Sequence, residues 1–147
     1  NTKAVFEALR ILELGVAELA VRQDVDACLS LMVKANEAVK SAIARMDVLG
    51  LVEANHDFHM QFARCSSNTY LVRGLYEARC EINRLAFLSY GNEIDPSKSL
   101  HDHYESVIRQ HKAVMTFLKD RNETRLRETL REHMQDFQQR IILYLTS

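Results

Sequence analysis

The stretch NHDFHMQFARCSSNTYL, Asn55–Leu71, holds the body of one helix and its end. With Leu51 and Val52 just ahead of it, Asn55, Phe58, His59 and Phe62 recur at helical spacing and share one face. Ser66-Ser67-Asn68 then breaks the pattern, and Asn68 is placed to cap the helix that follows. Asn55 and His59 are polar side chains on an otherwise apolar stripe. Burying an imidazole or an amide without a partner costs free energy. This helix therefore predicts a core with polar chemistry inside it.

Working outward, the same signature returns twice. Tyr104, Ile108, His111, Met115 and Leu118 form one stripe, and Leu126, Leu130, His133, Phe137, Ile141 and Tyr144 form another. Towards the N-terminus, a helix is expected over Lys3–Arg22, with Phe6, Leu9, Leu12, Val16, Leu19 and Ala20 inward. A second, capped by Asp24, should run to about Arg45 and bury Leu29, Met32, Val33, Ala35, Ala38 and Ile43. Asp47 is the next cap, for a helix ending near Cys65. The helix capped by Asn68 should reach Tyr90, where Gly91–Pro96 form a turn cluster. Two further helices, from near Ser97 to Leu118 and from Glu123 to Tyr144, flank the polar link Lys119–Asn122. The expected fold is all-α, an antiparallel bundle of about six helices.

Composition agrees. The chain has 147 residues, of which 47% are hydrophobic and 27% charged, with 4 glycines and 1 proline. That suffices for one domain with a real core, residues 1–147, and disfavours strand-and-turn folds. The formal net charge is -1 with both signs interleaved, so no phosphate-binding surface is expected. No apolar run is long enough for a bilayer and no signal pattern opens the chain, which points to the cytoplasm and to no membrane partner. Cys28, Cys65 and Cys80 form no CxxC pair and read as three reduced thiols. Asn1 is not an initiator methionine, as expected for an excised domain.

Asn55 and His59, four apart, project from one helical face and can reach one ion. His111 and His133 come from two other helices, and a bundle core is where such residues converge. Imidazole suits zinc, nickel, copper, iron or manganese. Neutral imidazoles and an amide leave a divalent charge uncompensated, so an anionic partner, a small carboxylate, is expected. The alternatives are core histidines in a metal-free helical dimerisation domain, or a metal-dependent bundle enzyme. A hydrolase needs a base near the metal-bound water, and the helical faces carrying the ligands offer no inward Asp or Glu. Asp57 and Glu132 lie off the ligand faces, and Glu7, Glu13 and Glu18 read as solvated. His56, His101 and His103 read as surface residues.

At these residues the chain resembles the C-terminal effector-binding (FCD) domain of FadR-subfamily GntR transcription regulators. The matching stretches are LRILE at Leu9–Glu13, NHDFHMQFARCSSNTYL, and QHKAVMTFLKDRNETRLRETLREHM at Gln110–Met134. The resemblance implies an all-α bundle that binds a small organic acid beside a divalent metal (Zn, Ni or Mn). By position it implies Asn55, His59, His111 and His133 as ligands, with Asn55 standing where many members carry Asp. Six helices are more similar to the VanR-like branch than to the seven-helix FadR-like one. The resemblance also implies a homodimer through apolar parts of the first and fourth helices, with Leu85, Phe87 and Leu88 on the latter. DNA would be bound only through a winged-helix domain absent from this chain, and no enzymatic activity is implied. Arg10 in LRILE and Arg79 in YEARCEI are the expected effector-binding arginines, since guanidinium matches carboxylate. Arg84 and Tyr76 are lesser candidates. Effector binding would favour one helix packing over another and so reset the DNA-binding domains.

Overall fold

The computed structural model describes residues 2–147. Six helices account for the architecture: α1 Thr2–Ala20, α2 Asp26–Ala44, α3 Val48–Arg64, α4 Thr69–Tyr90, α5 Leu100–Lys119 and α6 Glu123–Thr146. They close a ring in which α1 packs on α4, α4 on α3, α3 on α2, α2 on α5, α5 on α6, and α6 back on α1. The α4–α6 and α1–α3 pairs also touch across the middle. Chain order is not ring order: α1 and α2, and α4 and α5, follow each other in sequence without packing as neighbours. The expected all-α bundle is observed, with those two departures from nearest-neighbour packing.

Local chemistry explains the corners. Asp47, Asn68, Ser99 and Asn122 each accept a backbone N–H in the first turn of the next helix. Two corners are built alike. Met46 and Arg121 adopt φ of 56°, and the N–H of the following residue reaches back to Ala42 or Phe117, at 2.9 Å in each case. This is a Schellman ending with a side chain where glycine is usual. Asp47 and Asn122 thus end one helix and cap the next, which keeps both links short. Asp24 accepts from the Asp26 N–H at 3.2 Å just ahead of α2, but the N-cap position is Val25.

The buried faces differ from expectation in two places. On α5 the stripe is rotated: His103, Ser106, Val107, Gln110, His111, Val114 and Leu118 are buried, while Tyr104, Ile108 and Met115 form its half-buried flank. The reason is that the helix turns polar groups, not only apolar ones, towards the centre. On α2, Val33 and Ala38 are exposed, and Asn36, Val39 and Ala42 take the inward positions. Cys28 and Cys65 are joined in a disulfide that ties the start of α2 to the end of α3. They were expected as free thiols. A spacing of 37 residues shows no pairing in sequence, whereas the antiparallel α2–α3 hairpin brings the two positions together. Cys80 is free and exposed.

Candidate metal centre

His59 on α3, His111 on α5 and His133 on α6 are all buried, and their ligand nitrogens lie within 4.8 Å of one another. The rings are packed against one another and against Phe58. Phe58 stacks on His111 at 3.9 Å between centroids, and His59 stacks on His133 at 5.2 Å.

Each ring also has an oxygen partner at Nδ1. His59 Nδ1 lies 2.9 Å from Glu13 Oε1, His111 Nδ1 lies 3.0 Å from Asn36 Oδ1, and His133 Nδ1 lies 2.7 Å from Gln110 Oε1. The Gln110 amide is oriented by its other end, whose Nε2 donates to Asp136 Oδ2 at 2.7 Å. An oxygen acceptor requires Nδ1 to carry the proton, which leaves Nε2 with its lone pair. Burial pushes the pKa of all three histidines down; Arg79 adds to this at His59, and the other histidines at His111 and His133. The rings are neutral, and their Nε2 lone pairs converge.

His59 Nε2 and His133 Nε2 are 3.2 Å apart, and His111 Nε2 has no hydrogen-bond partner. With both Nδ1 atoms protonated, no proton remains to bridge that contact. Two imidazole nitrogens on one ion at about 2.0–2.1 Å per bond would sit about 2.8–3.4 Å apart for octahedral or tetrahedral angles. The donor set therefore fits a divalent metal. Asn55, one turn before His59, is buried with its Oδ1 unpartnered, as a further ligand would be.

Glu13 is the residue that sequence reasoning misplaced. It was expected on a solvated face but is 0% exposed. It accepts from His59 and, at 2.8 Å, from Arg79 Nη2. Burial alone would raise its pKa, but His59 and Arg79 outweigh that and hold the carboxyl well below the usual carboxylate range. The reading of Glu13 as a solvated residue is thus wrong, although it lies on α1 and not on a ligand-bearing face. Yet Glu13 meets His59 at Nδ1, on the far side of the ring from the converging lone pairs, and its low basicity suits it poorly to proton abstraction. It orients a ligand. Glu13, Asn36 and Gln110 all went unread because each is an ordinary polar residue on its helix. The signal available was their spacing with buried neighbours, such as Glu13 four after Leu9.

The remaining candidates separate. Arg79 is buried on Glu13, and its Nε is unpartnered. Arg10 is exposed on α1 and makes no ion pair or hydrogen bond with the described residues. Arg84 and Tyr76 are exposed. His101 is exposed as expected, beside Glu105. His103, expected at the surface, is 4% exposed, because the rotated α5 stripe begins with it. His56 is half-buried and meets Asn83 Nδ2 at 3.0 Å.

An all-α ring thus surrounds a three-histidine centre. The family model for the FCD domain matches residues 4–136, and the chain belongs to that family of regulatory domains. Among solved structures it is similar to E. coli McbR/YncC, with a TM-score of 0.80 at 19% sequence identity, covering 99% of this chain and 68% of that one. No curated protein sequence matches it. No helix of residues 2–147 is long and apolar enough to cross a membrane.

Proposed function

We propose that residues 1–147 are the effector-sensing domain of a cytoplasmic GntR-type transcription regulator of the VanR-like branch. It binds a small carboxylate next to a divalent metal (Zn, Ni or Mn) and controls DNA binding of a homodimer through a winged-helix domain outside this chain. His59, His111 and His133 would hold the metal, with Asn55 as the further ligand. The metal would supply a Lewis-acidic anchor for the effector's carboxylate.

The observation that carries this reading is the convergence of three neutral imidazoles with every Nδ1 occupied by an oxygen acceptor. Charge supports the anionic effector. Glu13 brings a negative charge near the centre, but Arg79 cancels it, so the ion's charge stays uncompensated. Arg79, with Nε free, is the arginine we assign to the effector. Arg10 is the weaker half of that assignment, because it is exposed. Ile11, Tyr70, Tyr76, Phe87 and Leu88 leave apolar side chains exposed on α1 and α4, which supports a dimer there. The six-helix count supports the VanR-like branch.

The test is calorimetric titration of chelator-treated protein with Zn, Ni and Mn, followed by a thermal-shift screen of small carboxylic acids with and without metal. Metal binding should be lost in His59→Ala while the helical circular-dichroism signal persists, and carboxylates should stabilise only the metal-loaded protein. No affinity for any of the three metals would favour the metal-free dimerisation reading.

A further inference from the structure

A second built site lies where α6 passes the end of α4 and the start of α5. Arg140 is 4% exposed. Its Nη2 donates to the backbone carbonyls of Ser89 at 3.0 Å and Asn92 at 2.6 Å. Its Nε has no partner among the described residues. Arg140 forms no ion pair with them either, unlike Arg79, which has Glu13. Its anionic neighbours, Asp95 and Glu93, act on it only through space, without a direct ion pair. Beside it His103, also 4% exposed, has Nε2 unpartnered. Both line a cavity of about 230 Å³ shared with Lys98, Asp95 and Asp136.

The charges around this cavity decide what fits. Arg140 and Lys98 are cationic, and Asp95 and Asp136 anionic, so the lining sums to zero. His103 adds no charge: burial first, then Arg140 and Lys98, push its pKa down to about 3. A free anion or a free cation would add a net charge to this balanced lining. A molecule bearing both would not. Asp95 Oδ1 is engaged by the Ser97 N–H and hydroxyl, and it neighbours Arg140 and Lys98 electrostatically. Asp136 uses Oδ2 for Gln110 and keeps Oδ1 free. At about 230 Å³ the cavity has ample room for a molecule the size of glycine to serine.

We propose that this cavity binds a small zwitterion, an α-amino acid the size of glycine to serine, with its carboxylate on Arg140 and Lys98 and its ammonium on Asp136. The site is separate from the three-histidine centre but linked to it. Asp136 holds Gln110, and Gln110 holds His133 at Nδ1.

The test uses chelator-treated protein, so that a carboxylate cannot report on bound metal. Glycine, L-alanine and L-serine are titrated by calorimetry and saturation-transfer NMR, with acetate and methylammonium as half-ligands. At least one amino acid should bind, and each half-ligand should bind at least about tenfold more weakly, the loss of one charge-assisted contact. Arg140 fastens α6 to α4, so the variants avoid it. Lys98→Ala should weaken amino acid and acetate alike, and Asp136→Asn should abolish the preference for amino acid over acetate. Acetate binding as tightly as alanine, an unchanged preference in Asp136→Asn, or no binding of any of the three amino acids would overturn the proposal. Because metal is absent throughout, such a failure leaves the metal-centre reading untouched.

Discussion

Glu13 and Arg79 offer the sharpest test of the polar centre. Glu13 is fully buried and ionised, and its one engaged oxygen serves both His59 and Arg79. Glu13→Gln keeps the shape and leaves an amide oxygen for His59 Nδ1. It also leaves the Arg79 guanidinium buried without a counter-ion. Removing one partner of such a pair costs about 3–5 kcal/mol, whereas removing both in favour of well-packed neutral groups is near neutral. Urea unfolding of chelator-treated Glu13→Gln should therefore show a loss of about 3 kcal/mol or more. Glu13→Gln/Arg79→Met should recover most of it, giving a coupling on the order of 2–3 kcal/mol in the double-mutant cycle. Metal titration supplies a second readout. Without the carboxylate behind it, His59 is a poorer donor, and affinity should fall about 10–100-fold. If the two substitutions add with no coupling, or Glu13→Gln binds metal like the wild type, the network of Glu13, Arg79 and His59 is not what holds this centre.

Four further outcomes are expected. Asn55→Asp should tighten metal binding and weaken carboxylate binding, both read by calorimetry, because it supplies the charge the effector otherwise brings; the opposite order would contradict the charge argument. Met46→Gly should raise stability by about 1 kcal/mol, since Met46 is 88% exposed at φ 56° and the left-handed region costs a side chain roughly that much; thermal melts will show the sign. Reducing the Cys28–Cys65 bond should cost up to about 3–4 kcal/mol for a spacing of 37 residues, and Cys28→Ser should match the reduced wild type in urea. His103, ordinarily near 6.5, is depressed to about 3 in the fold. The unfolded chain then takes up the proton first, so the stability His103 contributes is intact above about pH 6.5 and erodes towards pH 3, at about 1.4 kcal/mol per unit. Relative to His103→Gln, the wild type should lose about 3 kcal/mol between pH 7 and pH 4.

Helix number was largely legible in the sequence, because the four caps are side chains of standard type. Asp47, Asn68 and the link ending at Asn122 mark their corners by chemistry that acts within four residues. The ligand faces of α3 and α6 were legible for the same local reason: Leu51, Val52, Phe58 and Phe62 fix which way His59 points. What was not legible depends on contacts far apart in the chain. Glu13 lies 46 residues from His59 and 66 from Arg79, and no local pattern marks a carboxylate that two distant partners make affordable to bury. The α5 face was misread because periodicity weighs apolar residues only. His103, Ser106 and Gln110 are inward because partners or a polar cavity await them, and a hydropathy stripe drifts to the flank when the true face is polar. The disulfide was hidden likewise, since only the α2–α3 hairpin makes neighbours of Cys28 and Cys65.

The placement of these polar groups bears on how such a centre transmits a signal. Every helix of the ring contributes: Glu13 from α1, Asn36 from α2, His59 from α3, Arg79 from α4, Gln110 and His111 from α5, and His133 from α6. In a low-dielectric interior an unmade hydrogen bond is expensive, so these groups relocate together or not at all. An apolar core would let one helix slide by small repacking steps. Here a shift of α1 breaks Glu13 from both His59 and Arg79, and a shift of α5 breaks Gln110 from His133. An anion taken by the free Nε of Arg79 would compete with Glu13 for one guanidinium and weaken the tie holding α1 to α4. It does so with the differential contact that population shift requires, since Arg79 cannot serve both carboxylates equally. The winged-helix domain we propose, if joined ahead of α1, would move with that helix. Effector binding would then be read where α1 meets α4, through a single guanidinium shared between the protein's own carboxylate and the ligand's.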